Sequence, residues 1–138
     1  MLTVHDVVKD YEAVMSSIQH LQGTFGPDSD WPLPTLSLEQ NLIDLGWHQK
    51  EFQRRCIFAF TVVNPSDSHC LGCVYIDPTD KVGYDAVVVL WVRQSEFGLD
   101  DSLYQSVKQW IAEEWPFRNV AYPGREIEWK AWETLSSK

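Results

Sequence analysis

Basic residues are scarce in this chain. Eleven Lys and Arg stand against twenty Asp and Glu in 138 residues, for a formal net charge of −9 and a pI near 4.7. A surface of that sign repels a phosphate backbone, and the single basic doublet, Arg54-Arg55, is too small to form a patch. Nucleic acid is therefore not an expected partner. Cysteine is also scarce, and odd in number: three cysteines do not make a disulfide frame and read as reduced thiols, which points to a cytoplasmic protein. No apolar run reaches the length of a membrane span, and the opening MLTVHDVVKD lacks the basic and apolar regions of a secretory signal. Gly-x-Ser-x-Gly, a phosphate loop ending in Gly-Lys-Ser or Gly-Lys-Thr, and His-Glu-x-x-His are all missing. Their absence removes the strong signatures of several hydrolase and nucleotide-binding classes.

What is present is a globular composition. Apolar residues make up 44% of the chain, with seven Trp, five Tyr and six Phe, enough to build one core over residues 1–138. An acidic surface of this kind keeps a protein soluble and can attract a cationic ligand such as a small-molecule amine.

Val4, Val7, Val8, Tyr11, Val14, Ile18 and Leu21 recur at spacings of three and four, which predicts a helix over residues 4–21. Thr3 is its cap, with Asp6 as the reciprocal partner of a capping box. Residues 23–36 hold two glycines and three prolines and predict a loop, pinned to the body by Phe25 and Trp31. Ser37 and Gln40 open a second helix, predicted over Leu38 to Gln53 with a break or bend at Gly46. From Cys56 the apolar period changes to two, with Phe58, Phe60 and Val62 on one face and Ala59, Thr61 and Val63 on the other.

CLGCVYI and YDAVVVLWV follow as strands, joined by short turns that predict an antiparallel meander. Both faces of these two strands are apolar, so helices are expected on both sides of the sheet. A helix from Asp100 to Glu113 comes next, burying Leu99, Leu103, Val107, Trp110 and Ile111, and FRNVAY is then a fourth strand, parallel to the third because a helix separates them. The remaining tail allows a further strand or a short helix. The fold class predicted is α+β, with a mixed sheet.

Cys70-Leu-Gly-Cys73 is the obvious metal or redox candidate. Residues three apart on a strand point to opposite faces, so these thiols are not expected to converge on one ion, and no second ligand pair stands at a suitable spacing. His48 and Glu51, three apart in WHQKEFQRR, can share a helical face as an acid–base or metal pair, the basis of a hydrolytic or metal-site reading.

The segment Asp85 to Ile111 reads as strand, turn and helix, a geometry that receives phosphate-bearing ligands because a helix N-terminus offers free N–H groups and the positive end of a dipole. Two helices, a meander, then strand, turn, helix and parallel strand: this order, from the first helix to about Tyr122, resembles the GNAT superfamily of acyl-CoA-dependent N-acyltransferases. The resemblance implies acetyl-CoA as the cofactor. The strand end Leu90-Trp91-Val92 would face the pantetheine arm, and the turn Ser95-Glu96-Phe97-Gly98-Leu99-Asp100 would face the pyrophosphate. The family turn reads Arg or Gln, any two, Gly, any one, Gly or Ala. Gly98 keeps its glycine, whereas Ser95 and Asp100 depart from it.

A carboxylate at Asp100 suits helix capping and repels a pyrophosphate, by about 4 kcal/mol for a contact near 4 Å at an effective dielectric of 20. The implied chemistry is attack of a neutral amine on the thioester, with the oxyanion held by a backbone N–H near Trp91 or Val92. Asp85 or Glu51 is the candidate base, and Tyr122 the candidate acid for the thiolate leaving group. The alternative is a non-catalytic relative that uses the same sheet as a ligand pocket or a protein-interaction surface.

Overall fold

The computed structural model describes all 138 residues. A 3-10 turn, Val4–Asp6, leads into helix α1 (Val7–Met15), followed by the short α2 (Ile18–Leu21) and the long α3 (Leu38–Gln53). Strands β1 (Phe58–Val63), β2 (Cys70–Pro78) and β3 (Ala86–Val92) come next. A 3-10 segment (Gln94–Leu99) then runs into helix α4 (Asp100–Glu114), and strand β4 (Val120–Ala121) and helix α5 (Trp129–Glu133) complete the chain. The sheet order is β1-β2-β3-β4, antiparallel through β3 and parallel between β3 and β4. The predicted meander, crossover helix and parallel strand are all present, the last shortened from residues 117–122 to Val120–Ala121, and the fold is α+β. No helix is long and apolar enough to cross a membrane.

The sheet is buried on both faces, as its apolar strands require. On one side Ala59, Cys73, Tyr75 and Trp91 pack against Ala13 and Val14 of α1, Leu21 of α2 and Leu45 of α3. On the other, Val74, Ile76, Val88 and Leu90 pack against Val107 and Ile111 of α4, with Phe58, Phe60 and Val62 around them. Thr3 and Asp6 form the capping box expected of them. Phe25 and Trp31 hold their loop down: Phe25 meets Trp31 at 5.1 Å and Tyr75 at 5.2 Å, and Trp31 meets Trp91 at 6.0 Å, measured between ring centroids.

Four sequence expectations are corrected. The first helix does not run unbroken over residues 4–21: it stops at Ser16-Ser17, where the Ser17 hydroxyl accepts the Gln94 N–H at 2.9 Å and the Ser16 hydroxyl donates back to the Ala13 carbonyl at 3.0 Å. Serine hydroxyls that bond backbone elsewhere compete with helix continuation. Gly46 does not break α3, which continues from Leu38 to Gln53 packed against α1 and β1, with Asn41, Leu45 and Glu51 as its buried residues and Leu38, Leu42, Ile43 and Trp47 left exposed. Leu99 is exposed, since the tighter 3-10 segment before α4 turns it, with Phe97, to solvent.

The fourth correction concerns the thiols. Val62 pairs with Gly72 but Val63 pairs with Cys70, so Leu71 is an extra residue in a β-bulge. One inserted residue shifts the alternation by one and turns Cys70 and Cys73 to the same face.

Candidate functional site: the cleft where β3 and β4 part

β3 and β4 pair only at Ala86↔Val120 and Val87↔Ala121. Beyond these pairs the chain after β4 turns away through Pro123 and Gly124, and β3 continues to Val92 paired only with β2. The space between holds a cleft of about 310 Å³, walled by Val88 to Val92 on one side and Pro123 to Arg125 on the other. His20 and Gly23 from the α2 end, with Phe97 and Asp100, line its rim. Trp129 closes one end, packed so tightly on Gly124 that a side-chain carbon there would lie 2.7 Å from its indole nitrogen.

Ladder geometry sets which backbone groups look into the cleft. Arg93 donates its N–H to the Leu71 carbonyl of β2 at 2.8 Å, so the N–H and C=O of the neighbouring even-numbered residues, Leu90 and Val92, turn away from β2 and toward the cleft. His20 donates through Nε2 to the Val92 carbonyl at 3.0 Å and is the one imidazole in the lining. The end of β3 is fastened from behind: Arg93 is buried, donates to both Glu12 carboxylate oxygens at 2.7 and 2.6 Å, and also reaches the Cys70 carbonyl at 3.2 Å. That fixes β3 to α1 and holds the cleft wall in place.

At the mouth, the start of α4 differs from the expectation. Asp100 does not cap its own helix: the cap position is Leu99, with no side-chain bond, and the Asp100 N–H is used by the Phe97 carbonyl. The Asp100 carboxylate instead accepts a bidentate pair from Arg125, at 2.7 and 2.8 Å. Asp100 holds Arg125 firmly protonated, and the guanidinium lies 5.0 Å from the centre of the Tyr104 ring. Arg125 is the cleft residue the sequence reading missed. It follows a Pro-Gly turn in the tail, twenty-five residues from Asp100, and no local pattern links the two.

Leu90, Trp91, Val92 and Asp100 line the cleft, whereas Ser95 and Gly98 sit on the exposed 3-10 segment outside it. Ser95 accepts a hydrogen bond from Arg93 Nε at 3.0 Å. Asp85, Glu51 and Tyr122 are not brought to the cleft lining. Asp85 precedes β3 and accepts the backbone N–H groups of Asn119 and Arg118, both at 2.9 Å, which hold its carboxyl below the usual range. It organises the entry to β4. Glu51, near the end of α3, is buried and accepts from Arg54 at 3.0 Å. Tyr122 is packed against Tyr104 and Val107 beneath α4, and burial pushes its hydroxyl up to about 12. It stays protonated, as an acid must, but among core side chains.

A second cluster lies behind the sheet. The ligand atoms of Asp10, Cys70 and Cys73 all fall within 4.8 Å of one another, which supplies two sulfur donors and one oxygen donor. Burial drives the Cys73 thiol well above its ordinary value, so it is protonated and donates to Asp10 Oδ1 at 3.5 Å. Asn41 donates to the other oxygen of Asp10 at 2.8 Å. The three groups thus form a hydrogen-bonded core cluster made possible by the bulge at Leu71.

No protein-family model matches this chain, and neither does any curated protein or solved structure.

Proposed function

We propose that this chain is a GNAT-like domain that receives acetyl-CoA in the cleft between β3 and β4 and transfers the acetyl group to a small amine. The observation that carries the reading is the early parting of the parallel pair: two residue pairs, then a cleft of about 310 Å³ along a strand edge with no strand partner, its Val92 carbonyl met by His20. An extended arm bearing amides can add to such an edge as a strand does, through main-chain hydrogen bonds with Leu90 and Val92. Arg125 at the mouth is the one cation of the lining and suits a phosphate. With Asp100 engaged on it, that cation is neutralised in the free protein. In the reaction, the Val92 N–H would hold the oxyanion, and His20 is the cleft group able to take a proton from the amine.

A titration with acetyl-CoA, CoA and ADP, followed by thermal shift and calorimetry, tests the reading. Micromolar acetyl-CoA binding supports it, and Asp100→Gly, which removes a like charge and frees Arg125, tightens that binding by about tenfold. Absence of binding in both proteins refutes it.

A second reading, ligand binding without transfer, is favoured by the exclusion of Asp85, Glu51 and Tyr122 from the cleft. Thiol release from acetyl-CoA in the presence of an amine panel separates the two. Turnover ends the second reading, and saturable binding with no thiol release ends the first.

A further inference from the structure

On the α1/α3 side of the sheet lies a second cavity, of about 280 Å³ and open to solvent. Its wall is a continuous string of rings: Trp31 to Phe25, Phe25 to Tyr75, Tyr75 to His48 and His48 to Trp47, with successive centroids 5.1, 5.2, 5.3 and 5.1 Å apart. Two carboxylates, Asp10 and Asp44, share this lining, and no Lys or Arg does. Neither acid has a cationic partner. Asp10 is 3% exposed and has only the Asn41 amide and the Cys73 thiol, and Asp44 has only the Gln40 amide at 2.9 Å.

We infer that this cavity is a binding site for a small organic cation, an alkylated or quaternary ammonium. Aromatic faces attract such a cation through their quadrupoles, and a nearby carboxylate adds a Coulombic term that a neutral ligand of the same shape does not feel. The apolar methyl groups of the ligand would displace water from the indole and phenyl faces, while its charge answers Asp44, which has no cationic partner and stands at the pocket's solvent side. Two further features agree. His48 Nδ1 is buried with no hydrogen-bond partner, so the ring meets the cavity as an aromatic surface and not through a hydrogen bond from that atom. Burial pushes the Asp10 carboxyl up and the His48 imidazole down, the directions expected where no cation stands by the acid and the ring is neutral. The site does not depend on acyl-CoA: a quaternary nitrogen has no N–H to acylate, and the cavity is lined by none of the residues of the β3/β4 cleft.

The test compares choline with its neutral carbon isostere, 3,3-dimethylbutan-1-ol, by calorimetry and thermal shift on the whole chain without acyl-CoA. Choline is expected to bind and raise the melting temperature, and the isostere to bind about tenfold more weakly or not at all. Asp44→Asn and Trp47→Ala, both changes at the solvent side of the pocket, should each weaken choline several-fold while leaving the far-UV spectrum unchanged. Equal binding of the two ligands overturns the inference. So does choline binding that both substitutions leave intact, or no response to choline at roughly millimolar concentration. Failure of acetyl-CoA to bind has no bearing on these outcomes, so the two readings stand or fall separately.

Discussion

Asp77, at the end of β2, is half-buried, and its Oδ1 has no hydrogen-bond partner. Desolvation pushes its carboxyl up to about 6, against an ordinary value of 3.8. Below the unfolded value both states are protonated and nothing is lost. Between about pH 4 and 6 the folded state holds the proton more tightly, so stability falls as pH rises through that window and the loss is complete above it. Asp77→Asn should therefore raise stability at neutral pH, on the order of 1–2 kcal/mol, and leave it unchanged near pH 3. Glu12, drawn down by its bonds to Arg93, works in the opposite sense and contributes stability that is lost on acidification. The Asp77 term is thus read as the difference between the two proteins' urea midpoints across pH, where a constant offset would refute it.

At the scale of elements, two glycines make opposite forecasts. Gly46 lies inside α3, where a side-chain carbon would meet only Val4 Cγ1, at the ordinary contact distance of 3.7 Å. Gly46→Ala should stabilise the protein by about 1 kcal/mol, the helix-propensity difference between the two residues. Gly72, beside the bulge in β2, faces the Trp91 carbonyl of β3, and a side-chain carbon there would stand 2.1 Å from that oxygen. Backbone cannot yield as a flexible side chain does, so Gly72→Ala should cost about 3 kcal/mol or more and displace β3 at the cleft wall. Equal urea midpoints for this variant and the native chain would show that the strands are not so close. The same bulge explains why strand alternation misjudged the thiols. Alternation assumes an unbroken ladder, and nothing in Cys-Leu-Gly-Cys itself announces an inserted residue, although a strand glycine is a place where one can occur.

The charge of the whole molecule, −9, bears on both proposed ligands and in opposite directions. Between about 10 and 150 mM salt the screening length shrinks from about 30 Å to about 8 Å, so much of the protein's field is lost at a ligand still outside its pocket. Acetyl-CoA is an anion approaching an acidic surface and should associate faster as salt is added. Choline is a cation and should bind more weakly. Calorimetry and stopped-flow measurements at the two ionic strengths check both signs, and a salt response of the same sign for the two ligands would show that net charge does not govern access.

The sequence by itself determined the main elements and their order, though not the break at Ser16-Ser17 or the form of the tail. Period and capping residues marked the helices, alternating apolar residues marked the strands, and short turns followed by one helical crossover dictated three antiparallel strands and a fourth parallel one. These are local signals, set by backbone geometry within a few residues. Tertiary structure alone decided the sites, because each joins residues far apart in the chain. Asp100 looked like a helix cap until Arg125, beyond a turn in the tail, bound it. The thiols looked divergent until the bulge at Leu71 aligned them with Asp10 of α1. The aromatic pocket draws Phe25 and Trp31 from a loop, Trp47 and His48 from α3, and Tyr75 from β2. Periodicity reports which face of an element is buried, but not which side chains of another element it will meet, and it is those meetings that make a cleft or a cage.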